Sequence, residues 1–344
     1  MIGRLAPSPT GALHLGNVRS FMIAWLSVRS RGGKMIYRME DLDHPRDKPG
    51  AAADVRADLE WLGFDWDAEY VQSERTDIYR AALEKLLAAG KVYPCVCSRR
   101  DVESAQSAPH DGEQLHYPGL CRGRFASWSE AQSFLDRAAA GGSRRTPCWR
   151  FRTDEGERGE FEDGFAGRYV QDVASTLGDF PLARDENGAG YTLAVVVDDA
   201  AAGVTEVVRG DDLLAATPAQ ILLQRALALP TPRYCHVPLV TGPDGRRLAK
   251  RHGDTRVAAY RAAGVAPETL LGFLAASCGW CRPDEKISLR DLLPRFAFST
   301  IPRSPFVVRP GGLCYNRRHE QIHHIRGNHD APQPRGLLPL RAGG

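Results

Sequence analysis

The first forty residues narrow the folding options of this chain more than any other stretch. Met1 to Ala6 reads as a short strand, and the turn Pro7-Ser8-Pro9-Thr10-Gly11 cannot continue it. Leu15 to Arg29 then reads as a helix, and Lys34 to Met39 as a second strand. Two strands joined through a helix run parallel, because the crossover carries the chain back to the edge where the first strand began. Periodic helices over 51–62 and 76–89 continue the alternation. The expectation is therefore an α/β fold around a parallel sheet.

The rhythm breaks near Val92. From there to about Arg184 the chain is rich in Gly, Arg, Ser and Glu, and it reads as an insertion. The apolar run Tyr191-Thr192-Leu193-Ala194-Val195-Val196-Val197 suits either a buried strand or a short core helix. A strand over 204–208 follows, then a helix from Thr217 with Pro218 in its first turn. The expected organisation places the two halves of the sheet domain at 1–92 and 185–240, with the insertion at 93–184 between them. A basic loop and helical region occupy 241–302, and a disordered tail is expected over 303–344.

Hydrophobic residues make up 43% of the chain, but no apolar stretch has the length of a membrane span. Arg4, Pro7 and Pro9 interrupt the N-terminus before an export signal forms. Eight cysteines without such a signal point to a reducing cytoplasm, with thiols as core residues or metal ligands. The net charge of +3 permits a nucleic-acid partner without demanding one.

Three constellations carry chemistry. The first is the turn Ala6 to Asn17, where Gly11 and Gly16 allow close backbone approach and His14 and Asn17 sit at a helix start. Helix N–H groups and the helix dipole make that spot a ready anion site, although an ordinary strand-turn-helix has the same pattern. The second is Gly245-Arg246-Arg247-Leu248-Ala249-Lys250-Arg251. Alone it is a basic surface loop. If folding carried it to the carboxyl edge of the sheet, its lysine would clamp a triphosphate against the first site. The third is Cys95-x-Cys97 with Cys121 downstream, three thiols at a spacing that suits a zinc ion needing four ligands. Tyr117, His116 and His110 are the nearby candidates for the fourth position. Cys278-Gly279-Trp280-Cys281 has no second thiol pair near it and reads as core.

These motifs resemble the class I aminoacyl-tRNA synthetases, whose two signatures His14-Leu15-Gly16-Asn17 and Arg247-Leu248-Ala249-Lys250-Arg251 are similar to. The segments Arg4 to Gly11, Arg38 to Asp43, Val196 to Asp199 and Val208 to Gly210 are similar to glutamyl-tRNA synthetases in particular, in the same order over about residues 1–300. The resemblance implies a Rossmann-like parallel sheet with a zinc-containing insertion and a short helical C-terminal region. It implies that Arg4, Ser8, Glu40, Tyr191 and Arg209, with the backbone of Leu5, Ala6 and Pro7, bind glutamate. His14, Gly16, Asn17, Arg247, Leu248 and Lys250 would bind ATP, and His14, Asn17 and Lys250 would assist catalysis. Mg²⁺ would accompany ATP. A subset of the family holds one structural zinc in a Cys-x-Cys … Tyr-x-x-x-Cys arrangement, which Cys95, Cys97, Tyr117 and Cys121 match.

Two departures point to a shortened branch of that family. The chain ends at Gly344, before an anticodon-reading helical domain would be complete, and Val195 stands where discriminating members carry an asparagine. The shortened branch activates glutamate without tRNA and attaches it to queuosine in the anticodon of tRNA(Asp), so glutamate, ATP and queuosine-containing tRNA(Asp) are the expected partners. No stable protein partner is expected. The rival readings are a truncated enzyme charging the tRNA 3′ end and a non-catalytic tRNA-binding relative.

Overall fold

The computed structural model describes residues 1–42, 48–105, 116–138, 145–186, 188–246, 248 and 254–308. Its first part alternates β1 (Ile2–Leu5), α1 (Leu15–Arg29), β2 (Lys34–Met39), α2 (Ala51–Trp61), β3 (Ala68–Val71) and α3 (Thr76–Ala88). The three strands pair in parallel, with Arg4 opposite Ile36 and Arg38 opposite Tyr70.

The next segment changes character. It holds β4 (Val92–Cys95), α4 (Arg99–Ser104), α5 (Trp128–Ala138), β5 (Cys148–Phe151), β6 (Arg158–Asp163), β7 (Gly167–Asp172), α6 (Val173–Thr176) and β8 (Phe180–Ala183). Here the named strands pair antiparallel, with β5 between β4 and β8 and with β6 and β7 as a separate hairpin. The apolar run after it is helical, as α7 (Tyr191–Ala201). Its length and burial on all sides from Leu193 to Asp199 explain why periodicity left strand and helix open.

Then come β9 (Glu206–Gly210), α8 (Thr217–Leu227), β10 (Arg233–Val237), β11 (Val240–Thr241), α9 (Val257–Ala262), α10 (Pro267–Ala276), α11 (Leu289–Leu292) and β12 (Phe306–Val307). Strands β9 and β10 are parallel, and Thr205 N donates to Ile2 O at 2.9 Å, which seats β9 beside β1. The strand at 306–307 corrects the expected start of the tail at 303. Leu239 and Thr241 offer carbonyls there, and Phe306 N and Val308 N donate to them at 2.9 and 2.8 Å. Residues 309–344 lie outside the described residues. Among the described residues no helix is long and apolar enough to cross a membrane.

Side chains alternate across a strand, so each strand of the sheet has two characters. Leu5, Met35, Tyr37, Met39, Val208, Cys235 and Val237 pack into one core with α1 and α10. Their neighbours Arg4, Arg38, Arg209 and His236 are also buried, at 6%, 0%, 6% and 1% exposure, and belong to the opposite face. A second core, drawn from α3, α7, α8, β5 and β8, covers that side. Val195 is one of its members, packed among apolar side chains.

The hairpin of β6 and β7 is seated on α8 by a glycine. A Cβ at Gly159 would lie 2.4 Å from Pro218 Cα and 2.8 Å from its carbonyl oxygen. Both are backbone atoms with no rotamer to escape into. Gly159→Ala is therefore expected to destabilise the protein by about 1–3 kcal/mol, the range for overpacking a tight contact. Denaturant unfolding of the two proteins measures it.

Candidate functional site

The polar face of the sheet builds the site. Arg38 ion-pairs with Asp199 through Nη1 and with Glu40 Oε1 through Nη2, the latter at 3.0 Å. Arg4 Nε stands 3.7 Å from the same Asp199 carboxylate, and its Nη1 donates to Val208 O at 3.2 Å. Asp199 comes from α7, so this helix closes the pocket over the strands. Burial pushes the Glu40 carboxyl up, against the pull of Arg38 and Arg4. Arg38 holds Oε1 of Glu40, which leaves Oε2 as the oxygen available to a ligand cation.

Arg209 differs from its neighbours. Its Nε donates to His236 Nε2 at 3.0 Å, and its Nη2 to Thr217 Oγ1 and Gln220 Oε1, both at 2.8 Å. These partners are neutral, and Nη1 is buried without any hydrogen bond. A buried cation with an unmet donor is costly unless a ligand anion completes it. Arg38 and Arg4 reach carboxylates directly, Asp199 for both and Glu40 for Arg38, whereas Arg209 touches none. Tyr191 opens α7 with 43% of its surface exposed. Its hydroxyl nevertheless has a raised pKa, through lost hydration first, then with Arg209 lowering and Glu40 raising it. Tyr191 is thus partly open to solvent while its hydroxyl feels the charges of Arg209, Glu40, Arg4 and Arg38.

The remaining candidates for this pocket lie along the turn after β1. Leu5 is fully buried in the apolar core, so only its backbone can reach a ligand. Pro7 O accepts from Glu40 N at 2.9 Å, which ties the turn to β2, while Ala6 is half-buried and Ser8 exposed.

At the start of α1, Asn17 Oδ1 accepts from His14 N at 3.3 Å, capping the helix and leaving the Asn17 amide nitrogen as its donor. His14 Nδ1 lies 3.0 Å from Thr255 Oγ1, and Leu15 N donates to Thr255 O at 3.1 Å. Burial lowers the His14 pKa, with Asp254 opposing and Arg256 reinforcing. Gly16 sits against Val240, where an added Cβ would be 3.6 Å from Val240 Cβ. Val240 and Thr255, on either side of the basic loop, both touch the helix start. Leu248 packs against the main core. Arg247, Lys250 and His110 lie outside the described residues.

The cysteine cluster is separate. The sulfurs of Cys95, Cys97 and Cys121 lie within 4.8 Å of one another. Tyr117 Oη is 3.2 Å from Cys95 Sγ and 3.7 Å from Cys97 Sγ. A tetrahedral ion with bonds of about 2.3 Å to sulfur and about 2.0 Å to oxygen spaces its ligand atoms by roughly 3.5–3.8 Å, so the donor set fits one. His116 is turned elsewhere, with Nε2 3.1 Å from Ala174 O. Tyr117 is fixed by its backbone, since its N donates to Leu177 O at 2.9 Å and it bridges Gly178. A Cβ at Gly178 would lie 2.0 Å from Tyr117 O, and its φ of 66° also requires glycine. Cys278 and Cys281 belong to the core instead, beside Ser277 and Gly272 O respectively.

Several residues escaped sequence reasoning. Asp199, Thr217, Gln220 and His236 hold the arginines, and Arg150 donates to Cys95 Sγ at 3.3 Å with its guanidinium over the Tyr117 ring. Cys148 is paired with Cys95 across β4 and β5 and packs against the cluster. The available signal was alternation: Arg209 follows the pair Val207-Val208 in β9, and His236 stands between Cys235 and Val237 in β10.

Comparison with known proteins agrees with this geometry. Residues 1–291 match the family of class I tRNA synthetases (E and Q), catalytic domain. A glutamyl-Q tRNA(Asp) synthetase of Symbiobacterium thermophilum is 45% identical, over 89% of this chain and 95% of that protein. One of Rhodopirellula baltica is 44% identical over the same shares. A glutamate–tRNA ligase of Geobacter sulfurreducens is 37% identical, over 92% of this chain and 65% of the ligase. Among solved structures, the glutamate-tRNA synthetase of Elizabethkingia anophelis superposes with a TM-score of 0.72 at 25% identity, over 90% of this chain and 68% of that one. A glutamate tRNA ligase of Elizabethkingia meningosepticum gives 0.73 at 24% identity, over 90% and 67%, a likeness of fold. A parallel sheet that buries arginines on one face and matches over nearly the whole chain lead to one conclusion: this chain belongs to the class I tRNA synthetases of the E and Q group, ATP-dependent ligases, and within them to the glutamyl-Q tRNA(Asp) synthetases.

Proposed function

We propose that the chain activates glutamate with ATP to glutamyl-adenylate without tRNA, then transfers the glutamyl group to the cyclopentenediol of queuosine in the anticodon of tRNA(Asp). The observation that carries the reading is Arg209, a buried guanidinium among neutral partners with Nη1 unmet. A side-chain carboxylate is the ligand that such a group selects. In this reading Arg209 and Arg4 hold the γ-carboxylate of glutamate, Glu40 the ammonium group and Tyr191 a further oxygen. Ser8 and the backbone of Leu5, Ala6 and Pro7 line the floor.

The α-carboxylate then attacks the α-phosphorus of ATP and pyrophosphate leaves. His14, Gly16, Asn17, Arg247, Leu248 and Lys250 form the ATP side, with Mg²⁺ on the phosphates. Little covalent work falls to the protein, so positioning and charge dominate the rate. The queuosine acceptor rests on the names of the relatives at 45% and 44% identity. Cys95, Cys97, Cys121 and Tyr117 would hold one structural zinc, whose chemistry is to cross-link the inserted segment. Arg150 would offset the negative charge of three thiolates on a divalent ion.

Three measurements follow from this reading. Wild-type protein is expected to exchange labelled pyrophosphate into ATP with glutamate and without tRNA. Arg209→Ala is expected to raise the Michaelis constant for glutamate by about a hundredfold, the cost of removing one partner of a buried charge pair, with that for ATP little changed. An unchanged glutamate dependence in the variant would remove Arg209 from the amino-acid pocket.

The acceptor is tested by glutamylation of tRNA(Asp) with and without queuosine. Label is expected only on the modified tRNA, stable to removal of the 3′-terminal adenosine. Label lost with that adenosine would identify a 3′-end charging enzyme instead.

Metal analysis of purified protein is expected to find about one zinc per chain, from the single four-ligand site. Cys97→Ser is expected to lose the metal and lower the melting temperature, because binding and folding are linked. Wild-type protein free of zinc after preparation without chelators would refute the assignment.

A further inference from the structure

Behind Arg209 lies a chain of two more buried groups. His236 Nδ1 is 2.6 Å from Asp163 Oδ2, and both side chains have no solvent exposure. Asp163 ends β6 in the inserted segment, 73 residues before His236. Its Oδ1 accepts from Phe165 N at 2.9 Å and Ala166 N at 2.8 Å, and His236 N donates to both oxygens at 3.1 Å. The carboxylate is therefore locked by backbone on three sides before it meets the imidazole.

The protons along this chain can be assigned by elimination. Arginine nitrogens only donate, so the 3.0 Å contact from Arg209 Nε requires a lone pair on His236 Nε2. The remaining ring proton must then sit on Nδ1, where the Asp163 carboxylate accepts it. Burial lowers the His236 pKa, and Arg209 does so too against Asp163, in keeping with a neutral ring. Thr217 Oγ1, 3.0 Å from Nε2 and 2.8 Å from Arg209 Nη2, completes the cradle.

We infer that Asp163 and His236 are a positioning pair: Asp163 fixes the Nδ1–H tautomer of His236, and that tautomer aims the Arg209 guanidinium so that Nη1 faces the substrate carboxylate. A merely structural pair would hold the β6–β7 hairpin in place and leave the direction of Arg209 unaffected. The distinction matters because a donor at Nε2 would confront the Nε–H of Arg209 and turn the guanidinium away, as wrong tautomers disable other Asp–His systems. The inference rests on the proposed glutamate pocket for its kinetic readout but not for its spectroscopic one.

Asp163→Asn keeps the shape and changes the logic. Its oxygen can still serve Phe165 N and Ala166 N, while the new amide N–H₂ faces His236 Nδ1 and demands a lone pair there. The proton moves to Nε2, against Arg209. The opposite amide orientation would set N–H₂ against three backbone N–H groups, those of Phe165, Ala166 and His236. In glutamate-dependent pyrophosphate exchange, Asp163→Asn is expected to raise the Michaelis constant for glutamate about tenfold, one hydrogen bond's worth of binding, with turnover and the Michaelis constant for ATP within about twofold of wild type. Nitrogen-15 NMR of histidine-labelled wild-type protein is expected to show His236, assigned by the signal lost in His236→Gln, neutral with its proton on Nδ1. In Asp163→Asn that proton is expected on Nε2. If Arg209→Ala raises the glutamate constant and Asp163→Asn does not, the positioning role is overturned while the pocket stands. If Arg209→Ala has no effect either, the pocket reading fails. A wild-type His236 protonated at Nε2 or at both nitrogens overturns the inference without any variant, so poor folding of Asp163→Asn would not shield it.

Discussion

Three guanidinium groups buried on one face of a parallel sheet set the terms for the rest of this molecule. Charges removed from water need partners, and a strand can supply only one residue in two to a given face. The carboxylates must therefore come from outside the strands. Asp199 comes from α7 to reach Arg38 and Arg4, and Glu40 from the residue just past β2. Arg209 has only neutral partners, from α8 and β10. The layers above the sheet bring the partners these charges require, and Arg209 Nη1 is left without one.

Much of this was legible in the residues. The alternation of β1, α1, β2 and α2 follows from short apolar strands, a Pro-Gly turn and periodic helices, which are local signals. The proposed glutamate set came through resemblance, because Arg4, Glu40, Tyr191 and Arg209 each stand inside a recognisable segment, and the fold gathers the side chains of Arg4, Glu40 and Arg209 on one face. What could not be read was how the arginines are held. Asp199, Thr217, Gln220 and His236 act through contacts made only by folding, and nothing in a strand such as Arg233–Val237 says which strand will lie beside it. The run Tyr191–Val197 was ambiguous for a different reason. A helix buried on every side has no polar stripe, so the usual period disappears.

The inserted segment is more than an appendage to the sheet. Its hairpin rests on α8 at Gly159, and its Asp163 reaches through His236 toward the pocket. Its cysteine cluster is braced by the isolated bridge at Gly178 and by Arg150, which belongs to the antiparallel sheet. The inserted segment and the buried arginine face of the sheet are thus joined through one buried carboxylate.

The seam between β1 and β9 closes through Ile2 and Thr205, which are 203 residues apart. Chain entropy sets a steep toll on such non-local pairing, and it slows folding. A ribosome releases the N-terminus first, so β1 to β3 must wait with an open edge, and Arg4 without its carboxylate, until α7 and β9 arrive. During that interval the half-sheet is the part of the molecule most exposed to mispairing with other chains. The polar face of that half-sheet would then act as a safeguard, since buried-to-be arginines make the surface reluctant to stack on a stranger.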